Sequence, residues 1–141
     1  MPRSTGKNNI DRILDANINR AKEGLRVCEE VTRFILESRS LTASLKNIRH
    51  KVSSLAKRLS PQAKLFSGRD SAKDTGRLVY AAELKRKDIC DIFLANIQRV
   101  KESVRVLEEF SKLINIKAAV SFKNIRYEVY ELEKKIAQKI C

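Results

Sequence analysis

The side chains in this sequence that could do chemistry are mainly arginines, asparagines and aspartates, with His50 as the single histidine. In two separate stretches an asparagine is followed three residues later by an arginine: Asn17 with Arg20, and Asn96 with Arg99. Guanidinium groups match the oxygens of a phosphate. A chain rich in arginine and poor in acid–base groups suits phosphoryl transfer onto a phosphate, which needs charge neutralisation more than a general base.

A second set of candidate residues lies in the segment 61–77, which is predicted to be a loop because it holds two of the four glycines. Asp70 and Asp74 suit contact with a metal ion, and Arg69 suits contact with a phosphate. Gly68 and Gly76 would let the backbone approach an anion closely. On composition alone, a surface linker is an equally good interpretation of this segment.

The elements that must position these residues form a duplicated pattern. Asn17–Leu36 and Asn96–Asn115 are identical at ten of twenty positions. The tetrapeptide Lys-Asn-Ile-Arg follows each copy and ends at Arg49 and at Arg126. Two copies are too few for a solenoid, so a closed arrangement is expected. The predicted organisation is a single helical domain over 1–141, with repeat one at about 10–60, a linker loop at 61–77 and repeat two at about 78–139.

Each repeat contains two segments in which apolar residues recur at helical spacing. The second and fourth segments, 41–59 and 122–136, alternate steps of three and four residues. Asn8, Asn9 or Asp11 could cap the first helix. The third helix is predicted over 88–114, a short helix over 78–86, and the Ser60-Pro61 step should end the second. The predicted fold class is all-α: duplicated helical hairpins forming a four-helix bundle-like domain with pseudo-twofold symmetry.

Two polar or small residues interrupt the apolar stripe of the first helix. Asn17 lies within the stripe, and Gly24 lies two turns further on the same side. Asn96 and Ser103 repeat the arrangement in the third helix. One interpretation is that the two helices approach closely here and the asparagine pair fixes their register. The other is a small polar cavity lined by the neighbouring arginines.

The charge balance points to an anionic partner. Thirty Lys and Arg against 17 Asp and Glu give a net charge of +13, which favours nucleic acid, phosphorylated metabolites or a membrane surface. From Ser38 to Arg69 there are eight basic residues and no acidic one, so the second helix could face a nucleic acid or line a polyphosphate pocket. No apolar run is long enough to span a bilayer, and the N-terminus does not resemble a signal peptide. Three cysteines without CxxC spacing predict a cytoplasmic protein with reduced thiols, no disulfide framework and no zinc site.

Five strings occur in this order: RILDANINRAKEGLRVCEEVTRFIL, LKNIRH, RDSAKDTG, LANIQRVKESVRVLEEFSKL and FKNIRYEVYELEKKI. Together they resemble the all-helical hydroxymethylpyrimidine phosphate kinase family of thiamine biosynthesis, a domain often fused ahead of thiamine-phosphate synthase. The resemblance covers about residues 10–136. It implies ATP-dependent phosphorylation of 4-amino-5-hydroxymethyl-2-methylpyrimidine phosphate to its diphosphate, with ATP as the phosphate donor and Mg²⁺ as the metal.

On that reading of the reaction, physical reasoning assigns the candidate residues to three roles. The residues expected to clamp phosphates in catalysis are Arg20, Arg99, Arg49 and Arg126. The residues expected to bind substrate, or to orient the arginines that do, are Asn17, Asn96, Glu23, Glu102 and Arg69. The residues expected to hold Mg²⁺ are Asp70 and Asp74.

Two other classes of function compete with the kinase. The chain could be an accessory or regulatory domain of a thiamine-phosphate synthase, with no turnover of its own. It could also be a basic helical module that binds nucleic acid, whose affinity would then fall steeply with salt. The expected partners are therefore a phosphorylated pyrimidine and a nucleotide, with association with thiamine-phosphate synthase as a further possibility, nucleic acid as the runner-up and no membrane.

Overall fold

The computed structural model describes residues 3–60, 68–77 and 81–141, without the side chains of residues 3–8, 81 and 82. Over these residues all regular structure is helical and there is no strand, so the predicted all-α class is confirmed. Four long helices make up the fold: α1 (Arg3–Glu30), α2 (Arg39–Leu59), α3 (Ile89–Ser111) and α4 (Ile116–Ile140). None of the described helices is long and apolar enough to cross a membrane.

The first helix begins earlier than predicted. α1 already contains Asn8, Asn9 and Asp11, so none of the three proposed caps starts it. A capping side chain is worth only about 1 kcal/mol, which the gain from extending an already formed helix can outweigh. After α1 the chain continues through one π-helical turn, Val31–Ile35, and Glu37 then adopts a positive φ of 52° before α2 starts.

Side-chain caps set the start of the other three helices. Ser38, Asp88 and Asn115 each accept a hydrogen bond from the backbone N–H three residues on, at 3.2, 2.9 and 3.1 Å. Each cap satisfies one of the N–H groups that a first helical turn leaves without a partner. At its other end α2 stops at Leu59, before the Ser60-Pro61 step, as predicted.

The segment between the two hairpins is described in part. Residues 61–67 of the predicted loop and residues 78–80 of the predicted short helix lie outside the described residues. The described remainder contains one 3₁₀ turn, Thr75–Arg77, and a four-residue helix, Ala81–Leu84. Of the six described residues of the predicted short helix, 81–86, the first four are helical and the last two are not.

The four helices pack as a closed ring around one core. α1 packs against α2 and α3, and α4 packs against the same two helices. The predicted apolar seams of the second and fourth helices are buried: Leu41, Leu45, Ile48, Val52, Leu55 and Leu59 in α2, and Phe122, Ile125, Val129, Leu132 and Ile136 in α4. The predicted bundle is thus confirmed, whereas the pseudo-twofold relation between its two halves stays a prediction.

At Gly24 the helix α1 approaches α3 closely. A Cβ atom at Gly24 would lie 2.7 Å from Val100 Cγ2 and 2.9 Å from the backbone oxygen of Asn96. The asparagines do not join the helices, because each donates its amide within its own helix: Asn17 to the carbonyl of Ile13, and Asn96 to that of Ile92, both at 2.8 Å. The close approach is therefore made by the glycine, without an asparagine–asparagine hydrogen bond.

Gly24→Ala should lower the free energy of unfolding by about 1–2 kcal/mol, because overpacking against a fixed backbone oxygen outweighs the helix propensity that alanine adds. Chemical denaturation with urea measures the change. Ser103→Ala is the matched control at the equivalent position of the second repeat, and it should change stability by less than about 0.5 kcal/mol. A Gly24→Ala protein more stable than the parent would contradict the close approach.

The cysteines depart from the prediction of three reduced thiols. Cys90 and Cys141 form a disulfide with their Cα atoms 5.4 Å apart. The bond joins the start of α3 to the residue after α4, and the antiparallel packing of this hairpin is what brings the two positions together. Cys28 stays free in the core, where burial, helped by the carboxylates of Glu29 and Glu133, raises the pKa of its thiol to about 12.

Candidate functional site

A polar cleft of about 790 Å³ lies between the middle of α1, from Asn9 to Glu23, the loop residues 69–77 and one side chain of α3. We call it the arginine cleft, because five arginines line it: Arg12, Arg20, Arg69, Arg77 and Arg99. On α1 the lining residues Arg12, Ala16 and Arg20 are four residues apart and therefore share one face of the helix. This face of α1 forms one wall of the cleft, and the four-residue spacing explains why its residues lie together.

An ion pair fastens the loop to α1 and forms the second wall. Arg69 donates from Nε to Asp15 Oδ2 at 2.8 Å and from Nη2 to Asp15 Oδ1 at 2.7 Å. These hydrogen bonds raise the pKa of Arg69 above its ordinary value. Asp15 is only 8% exposed, so its carboxylate oxygens receive hydrogen bonds from Arg69 in place of water. Arg69 was expected to contact substrate, and the structure places it at the cleft as the residue that anchors the loop.

Four of the five arginines have no acidic partner among the described residues. Arg12, Arg20, Arg77 and Arg99 make no ion pair with a carboxylate there, in contrast to Arg69. Guanidinium groups that line one cleft and make no direct ion pair with its carboxylates repel one another. An anion with several oxygens, such as a phosphate, relieves that repulsion and accepts their hydrogen bonds.

The two aspartates expected to hold Mg²⁺ both line the arginine cleft. Asp70 Oδ1 accepts from the N–H of Lys73 at 3.2 Å, and Asp74 Oδ1 accepts from the N–H of Gly76 at 2.9 Å. Each aspartate thus holds its own turn of the loop with one oxygen. Mg²⁺ commonly takes one or two carboxylates from a protein, so the residue types fit it. In the described part of the chain no group of three or more potential ligands gathers, and Mg²⁺ binding here stays a prediction.

The other residues expected to bind substrate are divided by the fold. Asn17 and Glu23 line the arginine cleft. Asn96 and Glu102 are not among its lining residues, and Glu102 instead accepts a hydrogen bond from Gln98 at 3.0 Å on the surface of α3. The expected convergence of both asparagines on one cavity is therefore found only for Asn17, together with Arg20 and Arg99.

Arg49 and Arg126 lie away from the arginine cleft, each against a buried glutamate. Arg49 donates to both carboxylate oxygens of Glu29, at 2.6 and 3.1 Å. Arg126 donates from Nε to Glu108 at 3.1 Å, at the equivalent place in the second repeat. These two arginines were expected to clamp phosphates, but in the structure each tetrapeptide directs its arginine to a carboxylate of the preceding helix.

Sequence reasoning missed three charged residues of the cleft: Arg12, Asp15 and Glu83. Arg12 could have been found, because it lies eight residues before Arg20 and therefore on the same helical face. Asp15 could not have been assigned to Arg69, since 54 residues separate the two in sequence. Among the described residues, the acidic side chains that line the cleft are those of Asp15, Glu23, Asp70, Asp74 and Glu83.

The arginine cleft can bind a small phosphorylated molecule that also carries hydrogen-bond donors. Its five arginines are matched by five carboxylates, so its formal charge is balanced although the chain as a whole carries +13. The arginines suit phosphate oxygens, and the carboxylates that have no arginine partner can accept from amine or hydroxyl groups. A bare polyanion would leave those carboxylates facing like charge.

Comparison with known proteins adds a family and a pathway. The ThiD2 family model matches residues 12–135. A thiamine-phosphate synthase of Synechocystis sp. is 44% identical over 127 residues, which cover 88% of this chain and 35% of the relative. The thiamine-phosphate synthases of Nostoc punctiforme and Rhodopirellula baltica are 43% and 42% identical over 125 and 131 residues, covering 88% and 89% of this chain. No solved structure matches the chain.

The chain spans only about a third of the length of these relatives, 35% and 34% for the first two. Their names correct the expected function. The relatives are called thiamine-phosphate synthases, so the prediction of an ATP-dependent hydroxymethylpyrimidine phosphate kinase is wrong in its main reading. The alternative of an accessory domain of that synthase fits the names better, whereas nucleotide and nucleic-acid partners receive no support from them.

Proposed function

This chain belongs to the ThiD2 family, and from that premise we propose that it acts in thiamine biosynthesis as the accessory domain of a thiamine-phosphate synthase. The observation that carries the proposal is the pairing found in the relatives. Proteins named for that synthase contain a close match to this domain within chains about three times as long. A domain found in such a context works beside the rest of the enzyme.

The role that we propose for the arginine cleft is to hold a phosphorylated pyrimidine for the synthase. Arg20 and Arg99 come from α1 and α3, two helices that pack against each other, so both guanidinium groups are carried by rigid elements. Arg77 comes from the loop that Arg69 fastens to Asp15. These arginines would bind the phosphate. The carboxylates of Asp70 and Glu23 would accept from the amine and hydroxyl groups of the pyrimidine.

Isothermal titration with the pyrimidine monophosphate tests the cleft. The parent chain should bind one equivalent, and Arg20→Ala or Arg99→Ala should each weaken binding by about 10- to 100-fold, the loss expected for one hydrogen bond to a charged group. Arg26→Ala is the matched control, since Arg26 is an exposed arginine of α1 outside the cleft. Equal affinities for all three variants would contradict the proposal that the arginine cleft binds the pyrimidine.

A rate measurement tests the accessory role itself. Thiamine phosphate formation by a thiamine-phosphate synthase of the same organism should be faster when this chain is added at low pyrimidine concentration, because an accessory domain would pass its bound pyrimidine directly to the synthase. A chain that only binds the pyrimidine would slow the reaction instead, since it lowers the free concentration. At saturating pyrimidine the difference should disappear. A rate that does not depend on the chain at any pyrimidine concentration would contradict the accessory role.

A further inference from the structure

A second groove, separate from the arginine cleft, runs between α2 and α4. It has a volume of about 450 Å³ and is open to solvent. Leu55 and Ile125 form its apolar part, and the repeated Lys-Asn-Ile-Arg motif contributes one asparagine from each copy, Asn47 and Asn124. Neither asparagine side chain has a hydrogen-bond partner among the described residues. The groove therefore presents hydrogen-bonding groups that the fold itself does not use.

The charges around this groove are of one sign on the α2 side. α2 contains six Lys and Arg residues and no Asp or Glu. Two of the six are engaged, Arg49 with Glu29 and Lys51 with Glu128 across the groove at 3.0 Å. Lys46 and Arg58, by contrast, are exposed and have no acidic partner in the described part of the chain. Arg58 lines the groove, and Lys46 directly precedes Asn47, which also lines it. Both side chains can attract an acidic surface.

An exposed aromatic pair, Tyr127 and Tyr130, lies on α4 outside the lining of the groove. Tyr127 is 54% exposed and Tyr130 38% exposed, with their ring centroids 5.7 Å apart in an edge-on arrangement. The guanidinium of Arg126 lies 5.3 Å from the Tyr127 ring and holds it in place. Tyr127 follows Asn124 by three residues, so both lie on the same side of α4. Exposed, pre-positioned tyrosines beside arginine are typical of interface anchors.

We propose that the α2–α4 face, meaning this groove with Lys46, Arg58 and Tyr127, is the surface that docks an acidic face of the thiamine-phosphate synthase. The inference rests on the proposed function, which requires such a surface. A second copy of this chain would bring another net charge of +13 against the same face.

Binding of a separately produced thiamine-phosphate synthase of the same organism to immobilised chain tests the docking surface. Lys46→Glu/Arg58→Glu should weaken binding by about tenfold or more and flatten its dependence on salt. Tyr127→Ala should weaken binding by about tenfold with the salt dependence unchanged, as expected for an interface anchor. Arg26→Glu/Arg33→Glu makes the same change in charge on α1 and its π-helical turn, and it should bind like the parent. Far-ultraviolet circular dichroism checks that each variant is folded.

Each other result overturns the inference in a different way. Equal binding of all variants would overturn the docking surface and leave the proposed function standing. Absence of synthase binding in every protein would contradict both. If the chain instead binds mixed-sequence RNA or DNA duplex, and only Lys46→Glu/Arg58→Glu abolishes that binding, the face is a nucleic-acid surface and the protein-docking inference is wrong.

Discussion

Arg49→Ala should lower the free energy of unfolding by about 3–5 kcal/mol, the range measured when one partner of a buried ion pair is removed. Glu29 accepts two hydrogen bonds from the guanidinium, and its side chain is only 7% exposed. These hydrogen bonds raise the pKa of Arg49 above its ordinary value. Without the arginine, a buried carboxylate would be left with neither water nor a cation.

The second repeat offers a matched comparison for this prediction. Arg126→Ala removes the equivalent partner of Glu108, but Glu108 keeps Arg105, whose Nη1 lies 2.9 Å from it. We therefore expect a smaller loss for Arg126→Ala than for Arg49→Ala. Arg58→Ala, which removes an exposed arginine, should change stability by less than about 0.5 kcal/mol. Guanidinium chloride denaturation gives all three values, with the dependence of the free energy of unfolding on denaturant concentration measured separately for each variant.

A double substitution separates a structural role of Arg49 from a role in ligand binding. Glu29→Leu/Arg49→Met replaces the pair by apolar groups of similar length and should recover most of the stability lost in Arg49→Ala. Its affinity for the pyrimidine monophosphate should equal that of the parent, because Arg49 does not line the arginine cleft. An Arg49→Ala protein that keeps its stability and loses ligand binding would restore the original expectation that Arg49 contacts a phosphate.

Loss of the disulfide should cost about 4 kcal/mol, the chain-entropy value for a closed loop of this size. Cys90 and Cys141 are 51 residues apart, and the loop between them contains nearly all of α3 and α4. The cross-link restricts the unfolded chain far more than the folded one, where the hairpin already holds the two ends together. Cys90→Ser should therefore unfold at a clearly lower denaturant concentration than the parent.

Reduction provides the control for this prediction. A reductant should lower the stability of the parent to that of Cys90→Ser and leave Cys90→Ser itself unchanged. Titration of free thiols in denaturant should find one, Cys28, before reduction and three after it. Three free thiols in the untreated protein would show that the bond does not form, and the original expectation of reduced cysteines would then stand.

Much of the fold can be predicted from the sequence, because a buried helix face requires apolar residues at regular spacing within a short segment. The alternation of Leu45, Ile48 and Val52 in α2, and of Ile125 and Val129 in α4, is the pattern of one apolar face on a helix. Such a pattern can be read without knowing what covers the face. The start of α1 could not be read in this way, because a capping preference near 1 kcal/mol competes with continued helix formation.

The candidate site also contains some features that residue type predicts and others that depend on tertiary contacts. Arg20 and the aspartates of the loop could be chosen by residue type, and they do line one cleft. Arg49 carries the same guanidinium group, yet it is bound by Glu29. Residue type states which contacts a side chain can make, and several partners satisfy an arginine equally well. The prediction of kinase chemistry was ambiguous for the same reason, because residues that bind a phosphate do not specify which reaction follows.

The sequence by itself determined the helices, their apolar faces and the duplication, because each of these depends on residues a few positions apart. Only the tertiary structure decided which distant groups meet. Asp15 and Arg69 are 54 residues apart, and Cys90 and Cys141 are 51 residues apart. The close approach at Gly24 likewise depends on a backbone atom of another helix. Contacts of this kind are set by how the helices pack, and packing depends on the whole core rather than on any one segment.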